Sequence, residues 1–82
     1  MTTAIVDIET DSLNATKIHC IVARSYESNK VKAWVGQECS EFASWSQQID
    51  TFVMHNGISF DAPVLNRLLG CNIKLSQIRD TL

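Results

Sequence analysis

Two acidic residues alternate with apolar residues in the stretch VDIET, residues 6 to 10. Side chains of a β-strand point alternately to its two faces, so Asp7 and Glu9 share one face. Val6 and Ile8 share the other face, which suits a hydrophobic core. Two carboxylates this close repel each other unless a cation lies between them. The stretch therefore predicts a half-buried strand that presents either a divalent-metal site or a hydrated strand end.

Bulk composition limits the class of protein before any motif is considered. A chain of 82 residues has the size of a single domain, and 45% hydrophobic residues are typical of a folded one. A net charge of −2 provides no overall attraction to nucleic acid or to an acidic membrane surface. The three cysteines show no Cys-x-x-Cys spacing, which argues against a disulfide framework and favours a reducing, cytoplasmic setting. No apolar run approaches the ~18 residues of a membrane span, so no membrane partner is expected.

The first half of the chain has the pattern of three consecutive strands. These segments cover residues 4–9, 18–26 and 31–35. The short polar loops between them predict antiparallel pairing in a meander. The second segment is almost continuously apolar and is expected to be covered on both faces. Alternation in the third predicts that Val31 and Val35 point inward and that Trp34 points outward.

The second half alternates helical and extended patterns. Phe42, Trp45 and Ile49 recur at helical spacing. The apolar segment 51–54 follows this helix, so it is predicted to pair in parallel with an earlier strand through a crossover. A second helix is expected to end at Gly70, in the usual C-terminal position. The predicted fold is therefore α/β, a meander followed by a helix, a parallel strand and a helix.

The second helix is preceded by polar residues that have ordinary interpretations when each is taken alone. Asp61 would lie in the first helical turn, where an acid complements the helix dipole. The Asn-Gly step at Asn56 favours a tight turn. His55 alone is typical of a hydrogen-bonded loop residue. Only their order relative to Asp7 and Glu9 makes them specific.

In combination, these residues resemble the DEDD-type 3′–5′ exonucleases, whose fold is ribonuclease H-like. The first family motif, Asp-x-Glu, matches Asp7 and Glu9. The second, His-Asn-x-x-x-Phe-Asp, matches His55, Asn56, Phe60 and Asp61. The chain is most similar to the N-terminal half of the proofreading exonuclease domain of podovirus-type family A DNA polymerases. There the pattern Asp-Thr-Leu follows, as at residues 80–82. Residues 1–82 are thus expected to form a single, partial and truncated exonuclease-like domain.

The resemblance implies a chemistry, a cofactor and a substrate. It implies that Asp7, Glu9 and Asp61 are catalytic carboxylates that hold two Mg²⁺ or Mn²⁺ ions for phosphodiester hydrolysis. It further implies that the 3′ end of single-stranded DNA is the partner. The residues matched to nucleic-acid contacts are Thr10, His55, Asn56 and Phe60. If the chain is phage-encoded, the expected location is the host cytoplasm.

The third motif of the family, Tyr-x-x-x-Asp or His-x-x-x-x-Asp, has no match here. Asp80 is the only acid after Asp61, and its counterpart in the family is not a metal ligand, so it is a possible compensating acid. Two functions therefore stay open, an exonuclease or part of a split one, and a weak or inactive remnant that binds nucleic acid or protein. A plain structural domain is the third alternative. A homodimer, or a second chain that completes the fold, is expected because the late helices of the family are missing.

Overall fold

The computed structural model describes residues 2–81. Alternating and helical apolar patterns give this part of the chain five strands and two helices. The elements are β1 (Thr3–Thr10), β2 (Ile18–Ser25), β3 (Val31–Val35), α1 (Phe42–Ser46), β4 (Thr51–Met54), α2 (Ala62–Leu69) and β5 (Ile78–Asp80). A 3₁₀ segment, Gly36–Glu41, precedes α1, and a π-helical turn, Gly57–Asp61, leads directly into α2. A second 3₁₀ turn, Leu75–Gln77, precedes β5. The class is mixed α/β.

The strands form one sheet in the order β3-β2-β1-β4-β5. The predicted meander is confirmed, because β2 pairs antiparallel with both β1 and β3. The predicted parallel pairing of β4 is also confirmed, with Ile5 opposite Val53. The sequence analysis missed β5, which continues the parallel ladder with Arg79 opposite Val53. The carboxyl ends of β1, β4 and β5 consequently lie along one edge of the sheet.

The core lies on a single face of the sheet, beneath the two helices. Its strand residues are Ala4, Val6, Ile8, Ile18, Ile21, Ala23, Trp34, Phe52, Met54 and Ile78. The predicted orientation of β3 is wrong, since Trp34 is 3% exposed whereas Val31 and Val35 are 65% and 60% exposed. The register explains the difference, because Trp34 lies opposite the buried Ile21 and opposed residues share a face.

Aromatic packing holds α1 against this face. The Trp34 ring lies 4.9 Å from that of Phe42, nearly perpendicular to it, and 5.1 Å from that of Trp45. Edge-to-face and tilted rings at such distances are favourable beyond the area they bury. The large surface of Trp34 explains why it takes the inward position although simple alternation with two valines suggested the opposite.

The second sheet face, called here the open face, carries no helix in the part of the chain described. Its residues are Ile5, Asp7, Glu9, Cys20, Val22, Arg24, Val31, Ala33, Val35, Val53 and Arg79. The predicted burial of β2 on both faces is therefore wrong, and Val22 is 41% exposed. The apolar run in β2 reflects this open face, which combines valines with the two acids of β1.

Helix α2 ends at Gly70 as predicted, but it begins at Ala62, so Asp61 lies just before it and not in its first turn. Pro63 lies in the first turn, where its missing N–H is tolerated. Val64 and Leu65 are buried, and Gly70 ends the helix with φ 72° in the left-handed region. Among residues 2–81, neither helix has the length and the apolar run that crossing a bilayer requires.

Substitution of Trp34 tests the revised orientation of β3. Trp34→Ala is expected to lower the free energy of unfolding by about 3–5 kcal/mol, because it removes a buried aromatic side chain. Val35→Ala, on the opposite face of the same strand, is expected to change it by no more than about 0.5 kcal/mol. Urea denaturation followed by circular dichroism measures both. A larger loss for Val35→Ala than for Trp34→Ala would contradict the observed register.

Candidate functional site

Asp7 and Glu9 lie towards the carboxyl end of β1, exposed on the open face. Glu9 lies opposite Cys20, but the next residue, Thr10, lies opposite Ile18, so His19 is an extra residue in β2. This β-bulge ends regular pairing beside the acidic pair, and such bulges commonly occur next to functional sites. The predicted sharing of one face by the two carboxylates is therefore observed.

The loop that follows β1 is held in place by an acid. The Thr10 hydroxyl donates to the Ser12 carbonyl at 3.0 Å. The Asp11 carboxylate accepts hydrogen bonds from the Thr16 hydroxyl at 2.6 Å and from the N–H groups of Thr16 and Lys17 at 3.0 and 3.2 Å. The bonds from Thr16 lower the pKa of Asp11 to about 2. The predicted contact residue Thr10 thus begins an ordered loop at the carboxyl end of the central strand.

Asp61 is the one acid of the predicted set that is buried, at 6% exposure. It ends the π-helical turn and immediately precedes α2, with helical backbone angles. No hydrogen bond to its carboxyl group is made within residues 2–81. Every fully buried side-chain oxygen of residues 2–81 has a hydrogen-bond partner. Because the Asp61 carboxyl oxygens have none, they keep some contact with solvent.

The electrostatic environment shows which residues lie near the Asp61 carboxyl group. Burial raises its pKa from 3.8 to about 6, and the negative charges of Asp7, Asp80 and Glu9 add to this effect. The His55 ring acts in the opposite direction and lowers the pKa of Asp61. Like charges disfavour ionisation only when they are close. The structure therefore brings together the carboxylates of β1, of the turn before α2 and of β5.

The segment after β4 adopts one tightly packed conformation. Asn56 has φ 59° in the left-handed region and forms the N-cap of the π-helical turn. Gly57 is buried against β4, and an added Cβ there would lie 2.4 Å from the Cβ of Met54. A glycine is thus required at this point by space and not by its φ angle. The Asn-Gly pair predicted as a turn also brings the helix close to the sheet.

Asp80 and Thr81 bond this segment from the neighbouring strand. The Asp80 carboxylate accepts hydrogen bonds from the backbone N–H of Asn56 at 2.8 Å and of Ile58 at 3.0 Å. Thr81 donates its N–H to the Met54 carbonyl at 3.0 Å, and its hydroxyl lies 3.2 Å from His55 Nδ1. Sequence analysis missed this role of Asp80. A three-residue strand has too little alternation to reveal its pairing partner.

The other two matched residues occupy different positions. His55 is exposed at the end of β4, close enough to affect the charge of Asp61. Phe60 is half-buried and packs against the core, with its N–H bonded to the Asn56 carbonyl at 3.0 Å. His55 is therefore available at the surface of the site, whereas Phe60 supports the turn that carries Asp61.

The donor chemistry fits a hard divalent cation, because mutually repelling carboxylates provide only oxygen ligands. Within residues 2–81, however, no three acidic, histidine or cysteine side chains are already grouped closely enough to hold a metal ion. Asp7 and Glu9 are exposed side chains, so they can change rotamer at a modest entropic cost. The acids thus form a cluster of compatible donors and not a preformed cage.

Two concave clefts lie away from this cluster. One, of about 470 Å³, lies between the end of α1 and residues 72–77, with Phe52 at its base. The other, of about 500 Å³, lies between α1 and the β2–β3 turn, beside Trp45. Neither is lined by Asp7, Glu9, Asp61 or Asp80.

The raised pKa of Asp61 predicts a pH dependence of stability. Because the pKa is higher in the folded chain than the ordinary 3.8, protonation of Asp61 stabilises the fold. This contribution is fully present below about pH 4 and is lost as the pH rises through about 6. Without divalent ions, Asp61→Asn is expected to raise the melting temperature above about pH 7 and to flatten this dependence.

Carbon-13 NMR of the Asp61 carboxyl group measures the titration directly, and thermal unfolding between about pH 4 and 8 measures its effect. Glu41→Gln, at an exposed acid remote from the cluster, is the control and should keep the wild-type dependence. An Asp61 titration midpoint at or below the ordinary 3.8 would contradict the described environment.

Comparison with known proteins supports the fold. No protein-family model matches the chain, and no curated protein sequence matches it. Solved structures do match, among them the family B DNA polymerase from the hyperthermophilic archaeon Pyrobaculum calidifontis. The match has a TM-score of 0.64 and 15% identity, and it covers 85% of this chain and 11% of the polymerase chain. The chain therefore shares its fold with a small part of a DNA polymerase.

Proposed function

We propose that the chain is a metal-dependent 3′–5′ exonuclease domain, or the N-terminal part of one, with a ribonuclease H-like fold. Its substrate is the 3′ end of single-stranded DNA. The proposal is supported by the placement of Asp7 and Glu9 near the carboxyl end of β1 and of Asp61 in the turn that follows β4, where burial and the charges of the other two acids raise the pKa of Asp61. In open α/β sheets, ligands bind at this edge.

Three independent features support the assignment to nucleic-acid chemistry. The two motifs occur in the family's order and on the expected elements, a first strand and a turn before a helix. The fold is similar to part of a solved DNA polymerase, although that polymerase belongs to family B and not to family A. Asp7 and Glu9 are exposed, so a strand of DNA can approach them. Since fold alone does not define function, the proposal depends mainly on the three carboxylates.

Asp7, Glu9 and Asp61 are the residues that would hold Mg²⁺ or Mn²⁺. The bound ions would activate the attacking water and stabilise the charge on the leaving oxygen. Asp61 contributes a carboxylate whose ionisation is opposed by its neighbours, so a cation would relieve this repulsion. His55 and Asn56, with the loop that begins at Thr10, are the residues that would contact the terminal nucleotide.

Catalysis by this chain alone is expected to be slow. The third motif would supply a fourth carboxylate and a residue that orients water, and neither is present in the sequence. Loss of one positioned charge-stabilising group typically costs ~10²–10³ in rate. Both carboxylate oxygens of Asp80 accept backbone hydrogen bonds, which tie this acid to the turn before α2.

The metal proposal is tested by thermal unfolding with Mn²⁺. At about one hundred times its dissociation constant, Mn²⁺ should stabilise the folded chain by about 2.7 kcal/mol. Asp7→Asn should abolish the shift, whereas Glu41→Gln should retain it. With 3′-labelled and 5′-labelled single-stranded DNA, slow loss of the 3′ label first is expected, and Asp7→Ala should remove it. Absence of any Mn²⁺ shift in the wild-type chain would overturn the proposal.

A second candidate function, a module that binds a partner chain, is favoured by the open face. Val22, Val31 and Val35 are exposed there beside one another on adjacent strands. Exposed apolar surface of this kind often marks an interface. This function is compatible with the first, because a homodimer or a second chain could complete an exonuclease fold.

Sedimentation velocity tests this second candidate. Wild-type chain is expected to associate at micromolar concentration, and Val35→Lys to shift it towards monomer by placing a charge in the apolar patch. Glu41→Lys, which adds the same side chain away from the open face, is the matched control. A monodisperse wild-type monomer at high concentration would rule out self-association through the valines.

A further inference from the structure

The helical segment that begins at Gly57 lacks a side-chain cap of its own. Asn56 is its N-cap residue, but the Asn56 side chain makes no capping hydrogen bond. The first N–H groups of a helix have no partner within the helix and need another acceptor. Asp80 supplies one from β5, where its two oxygens accept from the N–H groups of Asn56 and Ile58.

Thr81 extends this arrangement by two residues towards the N-terminus, to Met54 and His55. Its N–H bonds to the Met54 carbonyl and its hydroxyl to His55 Nδ1. Asp80 and Thr81, called here the β5 clamp, therefore bond four of the five residues from Met54 to Ile58. The remaining residue, Gly57, is fixed by its close approach to Met54.

The clamp determines where Asp61 lies. Residues 57–61 form one continuous helical turn, so the position of its first residues sets the position of its last. The Asp61 carboxyl group makes no side-chain hydrogen bond within residues 2–81 that could hold it. Its placement beside Asp7 thus depends on the packing of the turn and on the bonds that the turn makes with β5.

We propose that Asp80 is a positioning residue for the acidic site and acts as a trans-strand helix cap and not as a fourth metal ligand. This inference rests on the proposed function and adds a residue to its machinery. A cap needs only a hydrogen-bond acceptor, whereas a carboxylate ligand also attracts the cation through its negative charge, which an amide lacks. Asparagine is a good cap but is neutral, and alanine is neither.

This difference allows a decisive comparison of Asp80→Asn with Asp80→Ala. Asp80→Ala removes both acceptors, and amide hydrogen exchange at Asn56 and Ile58 should accelerate about tenfold, as expected for a lost helix cap. Asp80→Asn keeps one acceptor and should show a smaller acceleration. In Asp80→Ala, the acceleration at Asn56 and Ile58 should exceed any acceleration at core amides such as that of Ile21, which exchange through global unfolding.

Mn²⁺ affinity, measured by calorimetry on the same variants, separates positioning from ligation. Affinity within about threefold of wild type in Asp80→Asn, and about tenfold weaker in Asp80→Ala, is expected for a cap. Asp50→Asn is the matched control. Asp50 also accepts a backbone hydrogen bond, from Thr2 at 2.9 Å, but at the other end of β4. Its loss should lower stability without changing Mn²⁺ affinity.

Two results would overturn the inference. One is unchanged exchange at Asn56 and Ile58 in Asp80→Ala. The other is an equal loss of Mn²⁺ affinity in both Asp80 variants, as large as that in Asp7→Asn, which would make Asp80 a ligand. Failure of Mn²⁺ to bind the wild-type chain would contradict the proposed function, while the order of exchange rates tests the clamp independently.

Discussion

Parallel pairing of β4 with both β1 and β5 is the constraint on which the rest of the structure depends. It makes three strands end at the same edge, so that Asp7, Asp61 and Asp80 are neighbours although they are distant in sequence. The antiparallel meander adds width and a buried aromatic cluster, but it carries no further acid to this edge. Acidic side chains are tolerated there because Asp7 and Glu9 are hydrated, and because Asp61 alone is withdrawn from water.

The elements predicted best are those with strong, long patterns. Alternation around Asp7 and Glu9 predicted β1 and its two faces, and the crossover rule predicted the direction of β4. Trp34 was assigned to the wrong face because alternation alone does not say which of two half-apolar faces is buried. The buried face of β3 is determined by the register of Trp34 with Ile21 and by aromatic partners that follow later in the chain.

Only part of the candidate site was predicted, because its other features depend on residues that are brought together only in the folded sheet. A motif can identify Asp61 as a functional acid, but its burial and raised pKa depend on β5, a strand too short to be read from its pattern. The hydrogen bonds of Asp80 were missed for the same reason, since they join residues brought together only by the folded sheet. The three cysteines are free thiols, with Cys39 and Cys71 buried and Cys20 partly exposed on the open face.

Trans-strand capping of the turn before α2 also bears on the order in which the molecule folds. The bonds from Asp80 close a loop of 24 residues to Asn56, whereas the meander closes mainly through short hairpin connections. Loop-closure entropy delays non-local contacts, so the meander and its aromatic cluster should form before the acidic edge is assembled. An early intermediate would then carry the negative charges of Asp7 and Glu9 apart from Asp61. The unfavourable repulsion between the carboxylates would then arise only at the final step of folding.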